Sequence, residues 1–439
     1  MPAEAPDPPP TTGPRSAAAA PQRAAAHPRT VLLWILLLCL VAAALYAAAP
    51  WLLPARIREG PLVQMAGPDA VTLIWYTTRP VACGVLFVDP GRAERFVPAE
   101  ATATDGYRYR VRLTGLSPGQ RYPYRIRAGG RDLSAALLFE TARVADEDLA
   151  FIVFGDSGRG SRAQYELAAA MLRTDPPADF LLHTGDIIYP DGERAGYEAR
   201  FFAPYRALLS RVAFWPCLGN HDVNDNGGAA YRAVFEAPEN GPPGVPPEHH
   251  YWFDYAAVRV AVVDTNVDEA VLRERVAPWL RDVLAAQGPR WRFVAFHHPP
   301  YTAGKYRPDE RVQRTLVPVL EETGVDVVFN GHDHNFQRTH PLRGGQVVPA
   351  GSGVVYVVTG AGGARLYDVP PAPPPYIADY ADDRWSFTHV IVRGDELTLR
   401  QIGTDGVAFS RVTWRKTAAE PATPPAPTAN LEAPPVPAP

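Results

Sequence analysis

The sequence predicts an α/β fold preceded by a small β-sandwich and a single N-terminal apolar helix. Three observations carry this reading. From about residue 148 to 415 strand-like runs alternate with helical ones, residues 62–142 alternate with period two, and residues 31–53 contain no charge. Hydrophobic residues make up 46% and charged residues 21% of the 439, so most of the chain can bury a core. A formal net charge of −4 argues against a nucleic-acid binder that works through its bulk field. The three cysteines, Cys39, Cys83 and Cys217, are too few for a disulfide-stapled mini-fold or a Cys-rich zinc module.

Residues 1–30 and 416–439 read as Pro/Ala-rich disordered tails with nothing to pack. The apolar run at 31–53 reaches about 34 Å at ~1.5 Å per residue, enough to cross a hydrocarbon core of about 30 Å. It exceeds the ~7–15 residues of a signal-peptide core, and Pro50 directly follows Ala47-Ala48-Ala49. An uncleaved transmembrane anchor is therefore expected, with secretion as the outcome if the segment is cleaved. Arg15, Arg23 and Arg29 precede the span while Arg56 and Arg58 follow it, which favours the N-terminus inside. The remainder is then expected outside the cytoplasm.

Within 62–142, Val71–Tyr76 is rich in strand formers, and Tyr107–Leu113 and Tyr122–Arg127 alternate with period two. Between the last two runs lies Leu116-Ser117-Pro118-Gly119-Gln120-Arg121-Tyr122. A turn followed by a tyrosine whose hydroxyl returns to nearby backbone is the corner device of immunoglobulin-like sandwiches. The reading is a structural platform beside the next domain.

In 148–415, Leu149–Phe154 runs apolar into Gly155-Asp156, and Tyr165–Arg173 reads as a helix. Asp179–Leu182 leads to Gly185-Asp186, residues 193–211 look helical, and Ala213–Leu218 runs into Gly219-Asn220-His221-Asp222. Trp291–Phe296 ends at His297-His298 and Val325–Phe329 at Gly331-His332, after which the chain is mostly strand. Each polar cluster thus follows the carboxyl end of a predicted strand, where open α/β sheets place their sites.

Those clusters supply two carboxylates, a phenol (Tyr189, three residues after Asp186), an amide and several histidines. Hard oxygens and imidazoles without thiolate suit two metals side by side, bridged by one carboxylate. A centre of Asp156, Asp186, Tyr189 and one histidine gathers up to three negative charges if the phenol ionises. Only a strongly polarising ion does that near neutral pH, so a trivalent ion such as Fe(III) fits there. A neighbour of shared Asp186, Asn220 and two neutral histidines suits Zn(II), Mn(II) or Fe(II). Paired ions clamp the attacking and leaving oxygens of an in-line displacement, so phosphate-ester hydrolysis is the matching reaction.

The ordered motifs GDSG (155–158), GDIIY (185–189), GNHD (219–222), H-x-P (297–299) and GHDH (331–334) resemble the calcineurin-like metallophosphoesterases. The tyrosine of GDIIY makes the chain similar to the purple acid phosphatases, with softer matches at Tyr251–Tyr255 and in GAGG at 360–363. The preceding sandwich looks like fibronectin type III, also an arrangement of that family. The resemblance implies a four-layer αββα sandwich over 148–415. It implies Fe(III) on Asp156, Asp186, Tyr189 and His334, and a divalent ion on Asp186, Asn220, His297 and His332. It further implies His221 as general acid or phosphate clamp, Asp222 orienting it, and a metal-bound hydroxide attacking a phosphomonoester.

The chain departs from plant-type members by having no histidine in 299–331. Tyr301, Lys305 and Arg307 are the substitutes on offer, and His298 stands beside the ligand His297. Two other readings remain open: a phosphodiesterase on the same scaffold, and a surface binding module with an inactive phosphatase fold. Expected partners are a small-molecule phosphoester and, through 31–53, a membrane; no nucleic acid is expected and no protein partner is inferable.

Overall fold

The computed structural model describes residues 28–52, 54–89, 93–102, 107–144 and 148–416. The predicted tails at 1–30 and 416–439 lie outside these, apart from 28–30 and 416. The chain divides into two units, Met1–Pro54 and Ala55–Pro439.

The first unit contains a helix, Pro28–Leu52. Among the described residues no helix is long and apolar enough to cross a membrane. The expected single-pass anchor, the inside orientation and the location outside the cytoplasm that depended on it are therefore not supported.

The second unit opens with two antiparallel sheets. One has the order Ile57–Gln64, Ala70–Thr77, Arg108–Thr114, Glu100–Thr102. The other is built on Cys83–Val88 and Arg121–Ala128, flanked by Glu94–Pro98, Arg131–Asp132 and Leu137–Glu140. Alternation along Arg121–Ala128 sends Tyr122, Tyr124 and Ile126 inward, as period two demands. The Ser117 N–H donates to the Tyr122 hydroxyl at 2.7 Å, which closes the turn that the sequence marks. The first strand begins before the expected start at 62. Gly60-Pro61 reads as a breaker, but the ladder absorbs it as an irregularity between Glu59 and Leu62.

Side-chain bonds fasten this sandwich to the segment around residues 210–236. Tyr76 Oη donates to Ala233 O (2.9 Å), Tyr124 Oη to Ser210 O (2.7 Å), and Arg108 and Arg110 pair with Glu236 (3.1 and 2.7 Å).

The larger part of the unit carries two further sheets. A six-stranded sheet runs Ala213–Trp215, Phe180–His183, Leu149–Phe154, Ser386–Arg393, Glu396–Gly403, Ala408–Arg415, and its first three strands are parallel. A seven-stranded sheet has four parallel strands at its centre: Val258–Val262, Trp291–Ala295, Val327–Asn330 and Val355–Thr359. The sheets face one another through Phe151 against Phe293 (5.4 Å between ring centroids) and Trp215 stacked on Phe253 (3.9 Å). On the outer side of the first, Leu167, Ala168 and Met171 of helix Arg162–Met171 pack with Ile152 and Phe154. On the outer side of the second, Leu280, Leu284 and Leu320 pack with Val294 and Val328. The layers are therefore helix, sheet, sheet, helix, and the parallel strands of both sheets deliver their carboxyl ends to one edge.

Candidate metal centre

Each predicted donor leaves its strand through a tight turn. Asp156 and Asp186 both have φ 56° and His332 has φ 71°, in the left-handed region that non-glycine residues rarely occupy. Backbone held this way at three of seven donors aims their side chains at a common point. Neighbouring glycines allow the approach: a Cβ on Gly219 would lie 2.2 Å from both N and Oδ1 of Asp186, and one on Gly331 2.5 Å from Asp156 Oδ2.

All seven donors meet. The Tyr189 hydroxyl lies 3.2 Å from Asp156 Oδ1, 3.0 Å from Asp186 Oδ2 and 2.9 Å from His334 Nε2. Asn220 Oδ1 lies 3.0 Å from His297 Nε2 and 2.9 Å from His332 Nδ1, and those two nitrogens are 3.2 Å apart. Asp186 Oδ2 joins the halves, 3.5 Å from His297 Nε2. The donor atoms of Asp156, Asp186 and His334 fall within 4.8 Å of one another, as do those of His297, His298 and His332.

The tautomers suit metal ligation. His297 Nδ1 donates to Thr184 O (2.9 Å) and His334 Nδ1 to Arg365 O (2.7 Å). A carbonyl only accepts, so each Nδ1 carries hydrogen and each Nε2 faces the cluster; against burial, the nearby carboxylates push His297 up to about 9, so its Nε2 keeps a proton that a bound cation would displace. Electrostatics point the same way. Burial raises the Asp156 carboxyl, whereas on Asp186 the charge and hydrogen bond of His297 outweigh burial and hold it below the usual range. Burial, then both carboxylates, push Tyr189 well up; burial above all pushes His332 and His298 down, leaving neutral imidazoles. Fully buried carboxylates crowded against imidazole nitrogens and a phenol call for a cation, and a cation reverses the penalty on the phenol. The donor set therefore fits metal cations held by oxygen and imidazole ligands.

His221 stands at the rim, 30% exposed. Its backbone N–H donates to Asp186 Oδ1 (2.9 Å), its Nδ1 is bonded to Pro190 O, and its ring lies 4.5 Å from that of Tyr189. Nε2 is thus the atom turned towards the centre, 3.9 Å from Asp186 Oδ2. Asp222 does not reach this ring. Its carboxylate is buried and accepts from the N–H groups of Ile187 (2.9 Å), Ile188 (3.2 Å) and Gly219 (2.9 Å), clasping the two ligand turns together. Expected to orient His221, it instead satisfies buried backbone donors.

The substrate-side expectations divide. His298 sits beside the cluster, its Nδ1 2.8 Å from Thr265 Oγ1 and its ring 4.7 Å from that of His332. Tyr301 does not line the site: it packs among Tyr356 (4.8 Å) and Tyr376 (5.7 Å), because its ring fills the apolar layer under the outer helices. Lys305 is exposed at the rim, over the rings of Tyr367 (4.2 Å) and Tyr306 (5.0 Å). Sequence reasoning missed both of these tyrosines, which stack on His334 and His332, and Arg159, whose guanidinium lies 4.5 Å from the Tyr189 ring centroid. Arg159 was findable, since it directly follows GDSG. Tyr306 and Tyr367 belong to no motif.

Two facing mixed sheets between helices thus carry clustered acid, amide and imidazole donors at their strand ends. Residues 149–336 match the calcineurin-like phosphoesterase family. Acid phosphatase type 7 of Mus musculus is 25% identical over 392 residues, covering 78% of this chain and 87% of that protein. "Probable inactive purple acid phosphatase 1" of Arabidopsis thaliana is 25% identical over 309 residues, covering 60% of this chain; the chain spans 50% of that protein's length. A purple acid phosphatase from yellow lupin (Lupinus luteus) seeds superimposes with a TM-score of 0.70 at 18% identity, covering 80% of this chain and 73% of that one. Residues 149–336 are thus similar to calcineurin-like phosphoesterases, and the relatives and the fold neighbour named here are purple acid or acid phosphatases.

Proposed function

We propose that the chain hydrolyses phosphomonoesters at a dinuclear centre. The observation that carries this is the convergence of the seven donors, with Asp186 between two half-sites. Asp156, Asp186, Tyr189 and His334 would hold Fe(III), and Asp186, Asn220, His297 and His332 would hold Zn(II), Mn(II) or Fe(II). When bound, such a pair polarises phosphoryl oxygens and acidifies water. We read His221 as the group that acts on the substrate. Its Nδ1 is engaged by Pro190 O, so Nε2 is the atom left to meet a phosphoryl oxygen entering from solvent. The Arg159 guanidinium, 4.5 Å from the Tyr189 ring centroid, adds positive charge beside that ring. Residues 62–142 we read as a fibronectin type III-like platform, on the strength of the Ser117–Tyr122 corner and the ties to Ser210, Ala233 and Glu236.

The test is elemental analysis and a visible spectrum of the full chain loaded with iron and a divalent metal, followed by mono- and diester aryl phosphates. Monoester turnover together with a visible band that Tyr189→Phe abolishes supports the reading. Diester preference would move the assignment to a phosphodiesterase. Metal-replete protein without any phosphoester turnover would leave the inactive-fold reading.

A further inference from the structure

The segment that carries His332 and His334 also holds the walls of an unassigned subsite. Asp333 accepts from Thr302 Oγ1 and from the Tyr306 N–H (3.2 Å), and Gln337 accepts from the Ala303 N–H (2.7 Å). A Cβ on Gly304 would lie 2.5 Å from the Asp333 carboxylate, so the loop is pressed against it. Asn335 Nδ2 donates to Tyr367 O (3.1 Å) and the Tyr367 N–H to His334 O (3.0 Å). These bonds seat Tyr306 flat on His332 (3.9 Å, 23°) and Tyr367 flat on His334 (4.0 Å, 12°), the two tyrosines meeting edge-on at 6.0 Å.

Lys305 lies over this pair, its Nζ 4.2 Å from the Tyr367 centroid and 3.5 Å from the Tyr306 hydroxyl. Ring faces attract the ammonium and limit where it can swing. Among the described residues it forms no ion pair, whereas the chain's other lysine, Lys416, pairs with Asp326 at 2.8 Å. Slight burial lowers its pKa, but the two tyrosines outweigh this and hold it above its ordinary value, so it stays charged.

Its position says what it can touch. His334 fills one face of Tyr367, so the ammonium takes the other. A full ring then stands between them, and Nζ is about 8 Å from the His334 ring. Atoms held against the His334 ring are therefore beyond direct contact with it. A group one aromatic ring or a short aliphatic spacer away from phosphorus is within reach of Nζ.

We propose that Lys305, seated on Tyr306 and Tyr367, binds a second anionic oxygen group carried by the leaving-group portion of the substrate. The preferred esters then bear a carboxylate or a further phosphate besides the scissile phosphate. This rests on the phosphomonoesterase reading, and it makes Lys305 a specificity residue.

The experiment compares 4-carboxyphenyl phosphate with its neutral near-isostere 4-carbamoylphenyl phosphate at low salt, using the full chain loaded with metal. Calorimetric titration of the two corresponding non-hydrolysable phosphonates runs in parallel. Expected is an approximately fivefold lower KM and Kd for the carboxylate member, lost in Lys305→Met, retained in Lys305→Arg and fading as salt rises. No preference in the parent protein overturns the proposal. Equal weakening of both members by Lys305→Met also overturns it, because Lys305 would then serve the phosphoryl group they share. Selective phosphonate binding without turnover of any ester would overturn the hydrolase reading and leave this one standing.

Discussion

Removing the Asp222 carboxylate separates its observed role from the catalytic one expected of it. In Asp222→Ala the N–H groups of Ile187, Ile188 and Gly219 lose their acceptor in a site where Asp222 is 1% exposed. An orphaned buried donor costs about 1–3 kcal/mol, and partial relaxation across three of them leaves about 4 kcal/mol. For a folded unit of this size each kcal/mol moves the melting temperature by ~2 °C, so a fall of about 8 °C is expected by scanning calorimetry. The turns joined by this clasp carry Asp186, Tyr189 and Asn220, so metal content by elemental analysis falls with it. Asp222→Asn keeps one acceptor oxygen and should lose about half as much. Melting of Asp222→Ala within ~2 °C of the parent would refute the clasp. A hundredfold loss of turnover in Asp222→Asn, with metal content and melting unchanged, would return Asp222 to the chemistry.

Gly219→Ala drives a Cβ to within 2.2 Å of Asp186 N and Oδ1, so metal stoichiometry should drop sharply while the far-UV circular dichroism is kept. Tyr122→Phe removes the acceptor of the Ser117 N–H and should cost about 1 kcal/mol, read as a small shift of the thermal transition. Burial pushes the Asp179 carboxyl up to about 6, against the Ala150 N–H and the Arg143 guanidinium. A raised carboxyl binds its proton more tightly when folded. Its stabilising effect is therefore complete below its unfolded pKa near ~3.9 and lost as pH climbs through about 6. Asp179→Asn should accordingly gain melting temperature relative to the parent on going from pH 4 to pH 8, and an unchanged difference would contradict this.

What the sequence by itself determined was the alternation of strands with helices and the polar clusters that follow the strand ends. Period-two alternation in Tyr122–Arg127, apolar runs ending in Gly-Asp or Gly-His, and short motifs in fixed order are local signals. The strands Leu149–Phe154 and Val327–Asn330 deliver Asp156 and His332 where those signals place them. Tertiary structure decided everything that depends on which way a side chain turns. Asp222 follows His221 directly, yet its carboxylate faces back into the ligand turns. Tyr301 lies in the loop after the histidine pair, but its ring drops into the apolar layer, while Tyr306 and Tyr367 reach the site from segments about sixty residues apart that only the His332–Gln337 run brings together. The expected anchor is likewise not supported, since among the described residues no helix is long and apolar enough to cross a membrane. Linear spacing encodes the periodicity of a strand or helix; the direction a side chain takes is set by packing partners distant along the chain, and no local pattern records them.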